Sequence, residues 1–507
     1  MKSNDAVSKK NNEPVVRGLL TVFYAVISFL YLFIIFVSVR QPLDYLSSAQ
    51  MGIASVIFAG VLFLFIRLSA KIPKLSGWVY TAFLCAFGAA ILCICLLRGN
   101  WYLYAGDYEA VYISAMDVAE GREVSFPFYF MTYGNNTVPM YFLAGIMKIC
   151  RTLGINEFYI LLALSIGTVL SAAWAMGYLL AECGAEKYRL PSLAFMALCL
   201  PIYSFSNTFY TDTMSFGLGI VIIALLVHAC KKKKAGYAIA AFAGILTVWG
   251  FNWKITCIIP LIAALFLLLI GDIRKNVLRN KKYILVYAVS VLAVQIILLI
   301  VLNSFSLYSE SKVRSNPVTA WIAMGMMNDG SYAQNVEFSD TVNLEFDTKE
   351  AKNEYAVAHI KEHLGEAFSI SHIVAKTRNN YASGTFSARD YTTPDAHGSL
   401  MYNLLNPGGS HYWRACQYCY VYIFAVYIVI FCTAVYVLIG LIKKKETPVM
   451  KIVSWPRILS DISFFGLFLF LMLWESNNRQ LYNSLPVIIL GLFAGFAGFR
   501  KSDSVDL

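Results

Sequence analysis

Apolar runs of roughly 18 residues or more, the length a helix needs to cross a bilayer, recur along the chain between short polar clusters. They predict spans at 18–39, 50–68, 77–97, 157–181, 190–207, 213–230, 235–251, 255–271, 283–305, 416–442, 457–475 and 481–499, about twelve helices in all. The polar clusters between them are largely basic. Arg67, Lys71 and Lys74 form one, Lys187 and Arg189 a second, and Lys231 to Lys234 a third. Arg274, Lys275, Arg279, Lys281 and Lys282 form a fourth, Lys443 to Lys445 a fifth, and Arg500 with Lys501 a last. By the positive-inside rule these mark the cytoplasmic side, and with Lys9, Lys10 and Arg17 they place both termini there.

This orientation sends two polar segments, 98–156 and 306–415, to the extracytoplasmic face. Val138 to Leu153 is apolar but short, and is expected to lie along the outer membrane surface as a juxtamembrane helix. The segment 306–415 reads as a small mixed domain with helical stretches, Lys349 to Gly365 among them. The expected organisation is a cytoplasmic tail (1–17), a transmembrane module (18–305) with an outer loop at 98–156, the extracytoplasmic domain (306–415), C-terminal spans (416–499) and a short tail (500–507).

Composition narrows the class further. The chain is 58% hydrophobic and only 14% charged, against about 25% charged in soluble domains. Soluble enzyme classes are thereby excluded, and the fold class expected is an all-α polytopic integral membrane protein. The net charge of +11 comes from clusters flanking the spans, so it reports orientation rather than a nucleic-acid partner. The 11 cysteines lie mostly in apolar runs and imply no disulfide framework, and Cys416–Cys419 lacks a second pair at zinc spacing. The N-terminal apolar run is too long for a signal peptide and is read as a retained span. Neither matching halves nor a charged residue deep inside a span is visible, which favours chemistry at the outer face over transport.

Candidate chemistry begins in the first outer loop, where Asp107 and Glu109 stand among aromatic residues just after a span ends. A carboxylate at a partly dehydrated interface can take a proton from an attacking hydroxyl; the competing reading is that both are solvated.

The run Gly106-Asp107-Tyr108-Glu109, then Ala119-Glu120-Gly121, then Tyr133-Gly134-Asn135-Asn136, resembles the first outer loop of GT-C glycosyltransferases, closest to the protein-mannosyltransferase and aminoarabinose-transferase type. Tyr210-Thr211-Asp212-Thr213 resembles that family's second outer acidic motif, and Trp253-Lys254-Ile255-Thr256 a lysine-bearing outer turn. Trp474-Glu475-Ser476-Asn477-Asn478-Arg479-Gln480-Leu481-Tyr482 is similar to the arginine–tyrosine element opening the last span. The chain departs from the family at Asn135-Asn136-Thr137-Val138-Pro139, which replaces a His-Pro-Pro-like turn, and in carrying an extra helical hairpin at its start.

The resemblance implies a membrane enzyme of the cell envelope that moves a sugar from a polyprenyl-phosphate carrier to an extracytoplasmic glycan, lipid or protein, usually with inversion. It makes Asp107 the general base and lets Glu109 orient the acceptor or assist a divalent cation (Mg or Mn), no cofactor being certain. Lys254, Arg479 and Tyr482 become the donor lipid-phosphate site. Asp212, Tyr108 and Tyr210 become sugar or acceptor contacts, with Tyr104 and Tyr133 as further stacking surfaces. Snorkelling explains Lys254 and Arg479 otherwise, helix capping explains Asp212, and an interfacial aromatic belt explains the tyrosines. A transporter or flippase, and a polysaccharide polymerase or ligase using Arg378 and Arg389, are the rival classes. His359-Ile-Lys-Glu362-His363 matches the H-x-x-E-H pattern of inverted zinc peptidases, but no partner segment supplies a third catalytic zinc ligand. His372, His397 and His411 read as surface residues.

Overall fold

The computed structural model describes residues 2–40, 47–71, 76–97, 106–387, 400–444 and 447–497. Tyr104, Lys74, Arg389, His397, Lys445, Arg500 and Lys501 lie outside them. Every regular element among the described residues is helical.

The chain opens with α1 (Lys2–Val39), α2 (Ser48–Ser69) and α3 (Gly77–Leu97). Three shorter helices follow, α4 (Gly106–Glu120), α5 (Pro127–Thr132) and α6 (Thr137–Thr152). Next come α7 (Glu157–Glu182), α8 (Arg189–Ala197), α9 (Leu200–Phe205), α10 (Thr211–Met214), α11 (Leu218–Ala229) and α12 (Ala235–Trp253). Helices α13 (Ile259–Phe266), α14 (Gly271–Arg279) and α15 (Lys281–Leu302) lead to α16 (Ser306–Arg314), α17 (Val318–Met326) and α18 (Val336–Leu344). Helices α19 (Lys349–Ala367), α20 (Ile370–Tyr381) and α21 (Leu400–Leu405) precede α22 (Tyr412–Lys443), α23 (Val449–Ile452), α24 (Trp455–Leu473) and α25 (Arg479–Gly495).

Nine described helical segments, one of them α10 and α11 taken together, are long and apolar enough to cross a bilayer, and they match nine of the expected spans. The other three are broken or short. The run 190–207 folds as α8 and α9, parted at Leu198–Cys199 just before Pro201, whose ring cannot donate to the preceding turn. The run 255–271 is split between 3₁₀ turns and the short α13. Helix α25 covers 17 residues, yet most of them are buried, packed on α24, α7 and α22.

The span 213–230 is itself interrupted. Gly217 adopts φ +62°, and a Cβ there would stand 2.6 Å from that of Ala172, so only glycine fits. Its N–H donates to the Asn483 carbonyl at 3.1 Å, satisfying backbone that leaves the helix inside the protein. The break holds α10, with Asp212, at one end of the bundle.

The first two turns of α24 bury a charge pair: Arg457 and Asp461, 0% and 1% exposed, meet at 2.5 Å one helical turn apart. Arg457 also donates to Thr433 at 2.7 Å and to the carbonyls of Ile430 and Gly491, so the buried fork is satisfied. The segment 306–415, expected to be mixed, is built from helices wherever it is described. Thr348 and Ser369 cap α19 and α20 with side-chain bonds to Ala351 and His372 N–H groups, and Ala356 anchors α19 against α17.

Among the described residues, the basic clusters gather at one end of the bundle. Arg17 donates to the Lys444 carbonyl at 3.1 Å, Lys231 pairs with Glu182, and Tyr283 donates to the Lys232 carbonyl at 2.8 Å. Helix α12 starts beside Lys231 to Lys234 and runs 19 residues, about 28 Å at 1.5 Å per residue, before releasing Lys254 at the opposite end. There α6 lies across α4, with Met140, Leu143, Ala144 and Met147 buried along one face.

Candidate functional site at the far end of the bundle

Asp107 sits in the first turn of α4, directly after Gly106 at φ +58°. Its Oδ1 accepts from the Tyr129 hydroxyl at 3.1 Å and its Oδ2 from Arg479 Nη2 at 3.4 Å. Asn136 Nδ2 donates to Tyr129 at 2.5 Å and to Tyr210 at 3.1 Å, tying α5, α6 and α10 to the carboxylate. Burial holds the Tyr129 phenol protonated well above its ordinary range, so it serves Asp107 as a donor. Asp107 is 34% exposed and Arg479 21%, a carboxylate open to solvent and a guanidinium that still shows part of its surface.

The second pair is deeper. The Lys254 ammonium bonds the Asp212 carboxylate where α12 ends and α10 begins, and the two side chains are 10% and 2% exposed. Lys254 takes an extended conformation at φ −156°, which ends α12 and turns its side chain toward α10. Burial pulls its pKa below the ordinary lysine range; Asp212 pulls it back and Arg479 lowers it further.

Two cavities meet here. One of about 730 Å³ is lined by Asp107, Tyr210, Asp212, Lys254 and Arg479, with Trp253, Trp321 and Phe470 in its apolar walls. The other, of about 970 Å³, is lined by Asp107, Asp329, Arg378, Asn379, Thr385 and Trp413. Both are bounded by Asp107, Tyr332, Glu475, Asn477 and Arg479, so the Asp107–Arg479 pair stands at their common wall.

Six of the residues singled out from sequence therefore share the first cavity: Asp107, Tyr133, Tyr210, Asp212, Lys254 and Arg479. Three do not reach either one. Glu109 is half-buried on α4 and lines neither cavity. Tyr108 is buried and packs against Tyr112 and Phe209. Tyr482 is buried behind Arg479, its ring 4.3 Å from Phe205 and 4.7 Å from Phe216.

Other residues entered unannounced. Lys376, fully buried on α20, donates to the carbonyls of Gly325 at 2.5 Å and Trp474 at 2.7 Å. His372, read as a surface residue, is 3% exposed and bridges the carbonyls of Asn328 and Gly325. Lys376, through the Trp474 carbonyl, and Asn380, whose Oδ1 accepts from Asn477 N–H at 2.9 Å, fasten the Trp474–Asn478 turn that carries Glu475 and presents Arg479, while His372 holds the neighbouring 325–328 backbone. Burial pushes the Glu475 carboxyl up to about 7, opposed by Arg479 and reinforced by Asp107. Burial likewise pulls Lys376 down to about 7, against the pull of Glu475 and Asp329. Glu475 was legible only as a neighbour of Arg479 in one motif; Lys376 and Tyr129 carried no sequence signal, because their burial depends on distant elements.

Among the described residues no His, Cys, Asp and Glu side chains gather at metal-ligand distance around Asp107; the trio that does is His359, Glu362 and His363 on α19. A family model described as "Conserved hypothetical integral membrane protein" matches residues 15–496, and the chain belongs to that family. No curated protein and no solved structure matches it.

Proposed function

We propose that this integral membrane protein is a membrane glycosyltransferase, GT-C-like in mechanism. It transfers a sugar from a polyprenyl-phosphate carrier to an extracytoplasmic acceptor hydroxyl of a cell-envelope glycan, lipid or protein. The observation that carries the reading is the Asp107–Arg479 pair at the wall between two cavities. It puts a carboxylate base next to a forked cation at the end of the bundle away from the basic clusters, which the positive-inside rule makes the outer face of the cell membrane.

In this mechanism the acceptor hydroxyl enters from the cavity lined by Asn379, Thr385 and Trp413, and gives its proton to Asp107. Its oxygen attacks the anomeric carbon from the face opposite the carrier. The bond from that carbon to the phosphate oxygen breaks, and the electron pair leaves with the polyprenyl phosphate. The configuration is inverted, and the proton remains on Asp107 until solvent takes it. Arg479 can meet the growing phosphate charge with a planar fork, and Lys254 with a point charge that Asp212 already orients. The donor side is assigned to the smaller cavity because Phe251 and Ile255, 45% and 51% exposed, continue its wall onto an apolar surface fit for an isoprenoid. A divalent cation is not required for these steps.

Purified chain in lipid nanodiscs, offered a panel of polyprenyl-phosphate sugars, is expected to release polyprenyl phosphate from one of them when acceptor is present; release from none defeats the proposal. The same assay reads a pH dependence. Below about 7 Glu475 is neutral and Lys376, buried behind the turn that carries Glu475, is charged, so with Arg479 and Lys254 on the wall of the donor cavity the local field is at its most positive. As the pH rises through about 7 Glu475 becomes an anion and Lys376 loses its proton, so both changes oppose an anionic donor. The KM for donor is expected to climb across that interval, and to climb less in Glu475→Gln, which retains only the Lys376 step. An identical climb in Glu475→Gln would remove Glu475 from the donor's surroundings.

A further inference from the structure

Helix α19 carries a second constellation that the transferase reading does not use. His359, Glu362 and His363 occupy positions i, i+3 and i+4, so their side chains share one face. Their ligand-capable atoms all lie within 4.8 Å of one another, with His359 Nδ1 3.9 Å from Glu362 Oε2. None of the three lines either cavity.

The two rings are set up differently, and both suit a metal. His363 Nδ1 lies 3.0 Å from the His359 carbonyl. A proton on that nitrogen, donated to the carbonyl, leaves the Nε2 lone pair outward, and this is how ligating histidines are ordinarily oriented. The His359 ring is clamped edge-on by Tyr355 at 4.6 Å and Phe338 at 5.1 Å. Its Nδ1 is buried, has no hydrogen-bond partner, and faces the Glu362 carboxylate. A buried imidazole nitrogen without a partner is costly, and a cation between it and the carboxylate would satisfy both groups. The His359 and His363 rings lie 5.9 Å apart and nearly parallel, at 19°.

We propose that His359, Glu362 and His363 form a binding site for a zinc-class divalent cation on α19. Two imidazoles and one carboxylate suit zinc and its borderline neighbours, whereas calcium and magnesium prefer oxygen ligands. Three protein ligands on one helix leave at least one coordination position for water. Here Glu362 is a ligand, which distinguishes the site from a peptidase centre, where the glutamate acts as base. The cation holds two successive turns of α19 together next to Ala356, which packs into the same small core as Ala320 and Ala323 of α17. This site is independent of the proposed transferase activity and stands or falls without it.

The test is zinc chloride titration of the purified full chain, with any affinity tag removed, followed by calorimetry and by competition with a chromophoric chelator. Wild type is expected to bind one zinc per chain, calcium and magnesium not competing. Glu362 is 69% exposed, so Glu362→Ala folds as wild type does, and it should weaken zinc binding about tenfold or more. His363→Ala should weaken it further, and cobalt should give a visible d–d spectrum in wild type alone. Equal zinc affinity in wild type, Glu362→Ala and His363→Ala overturns the site, as does binding that titrates with His228 or His411 instead.

Discussion

Asp107→Asn is expected to lower turnover by roughly 10²- to 10⁴-fold, the range general-base catalysis supplies, while the protein keeps its fold. Asparagine is nearly isosteric, and its Oδ1 can still accept from Tyr129, so the tie among α5, α6 and α10 survives. The carboxylate is 34% exposed and its bond to Arg479 is long at 3.4 Å, a geometry whose loss costs about 1 kcal/mol of stability or less. The deficit should therefore appear in the chemical step, measured by single-turnover release of polyprenyl phosphate, with melting temperature in detergent nearly unchanged. A variant turning over at the wild-type rate would dismiss Asp107 as base. Asp107→Glu is the milder control: it keeps the charge but moves it by a methylene, enough to misplace a base.

Arg479→Ala carries the second large effect, about 10²- to 10³-fold in turnover, comparable to removing one preorganised donor from a developing oxyanion. The residue opens α25, and the turn before it is held independently by the bonds of Asn380 and Lys376 and by the Ser476 N–H to the Gly330 carbonyl. Deleting the guanidinium therefore leaves the scaffold in place. Two losses then combine: the leaving phosphate loses its fork, and Asp107 loses a neighbour that keeps its charge compensated. Arg479→Lys should recover part of the rate, since an ammonium supplies charge without a bidentate geometry. The discriminating comparison is kcat and donor KM for the three proteins at fixed pH. If alanine and arginine give the same kcat and KM, the phosphate site lies elsewhere.

The sequence foretold the membrane class and nine spans because a bilayer selects for run length and sparse charge, both local properties. It was blind where tertiary contacts replace hydropathy. Gly217 breaks a strongly apolar run because Ala172 presses against it and Asn483 supplies its backbone acceptor, neither of which is near in sequence. Arg457 and Asp461 are four apart on one helix, yet their burial is tolerable only because α22 contributes Thr433 and the Ile430 carbonyl. The site divides in the same way. Asp107, Asp212, Lys254 and Arg479 could be picked out because charged groups at span ends are conspicuous. Tyr129 and Lys376 could not, since an aromatic in a polar loop and a lysine on an amphipathic helix are unremarkable until the fold encloses them. Glu109 and Tyr482 show the converse: proximity in sequence to a site residue placed one on α4 away from the cavities and the other in the core behind them.

The most direct measurement is an experimental structure of the chain in nanodiscs loaded with polyprenyl-phosphate sugar. Density for the phosphate within hydrogen-bond reach of Arg479, its isoprenoid leaving along Phe251 and its sugar facing Asp107, is the expected result. Lipid phosphate bound among Lys231 to Lys234 at the other end of the bundle, with the Asp107 cavity occupied only by water, would contradict it.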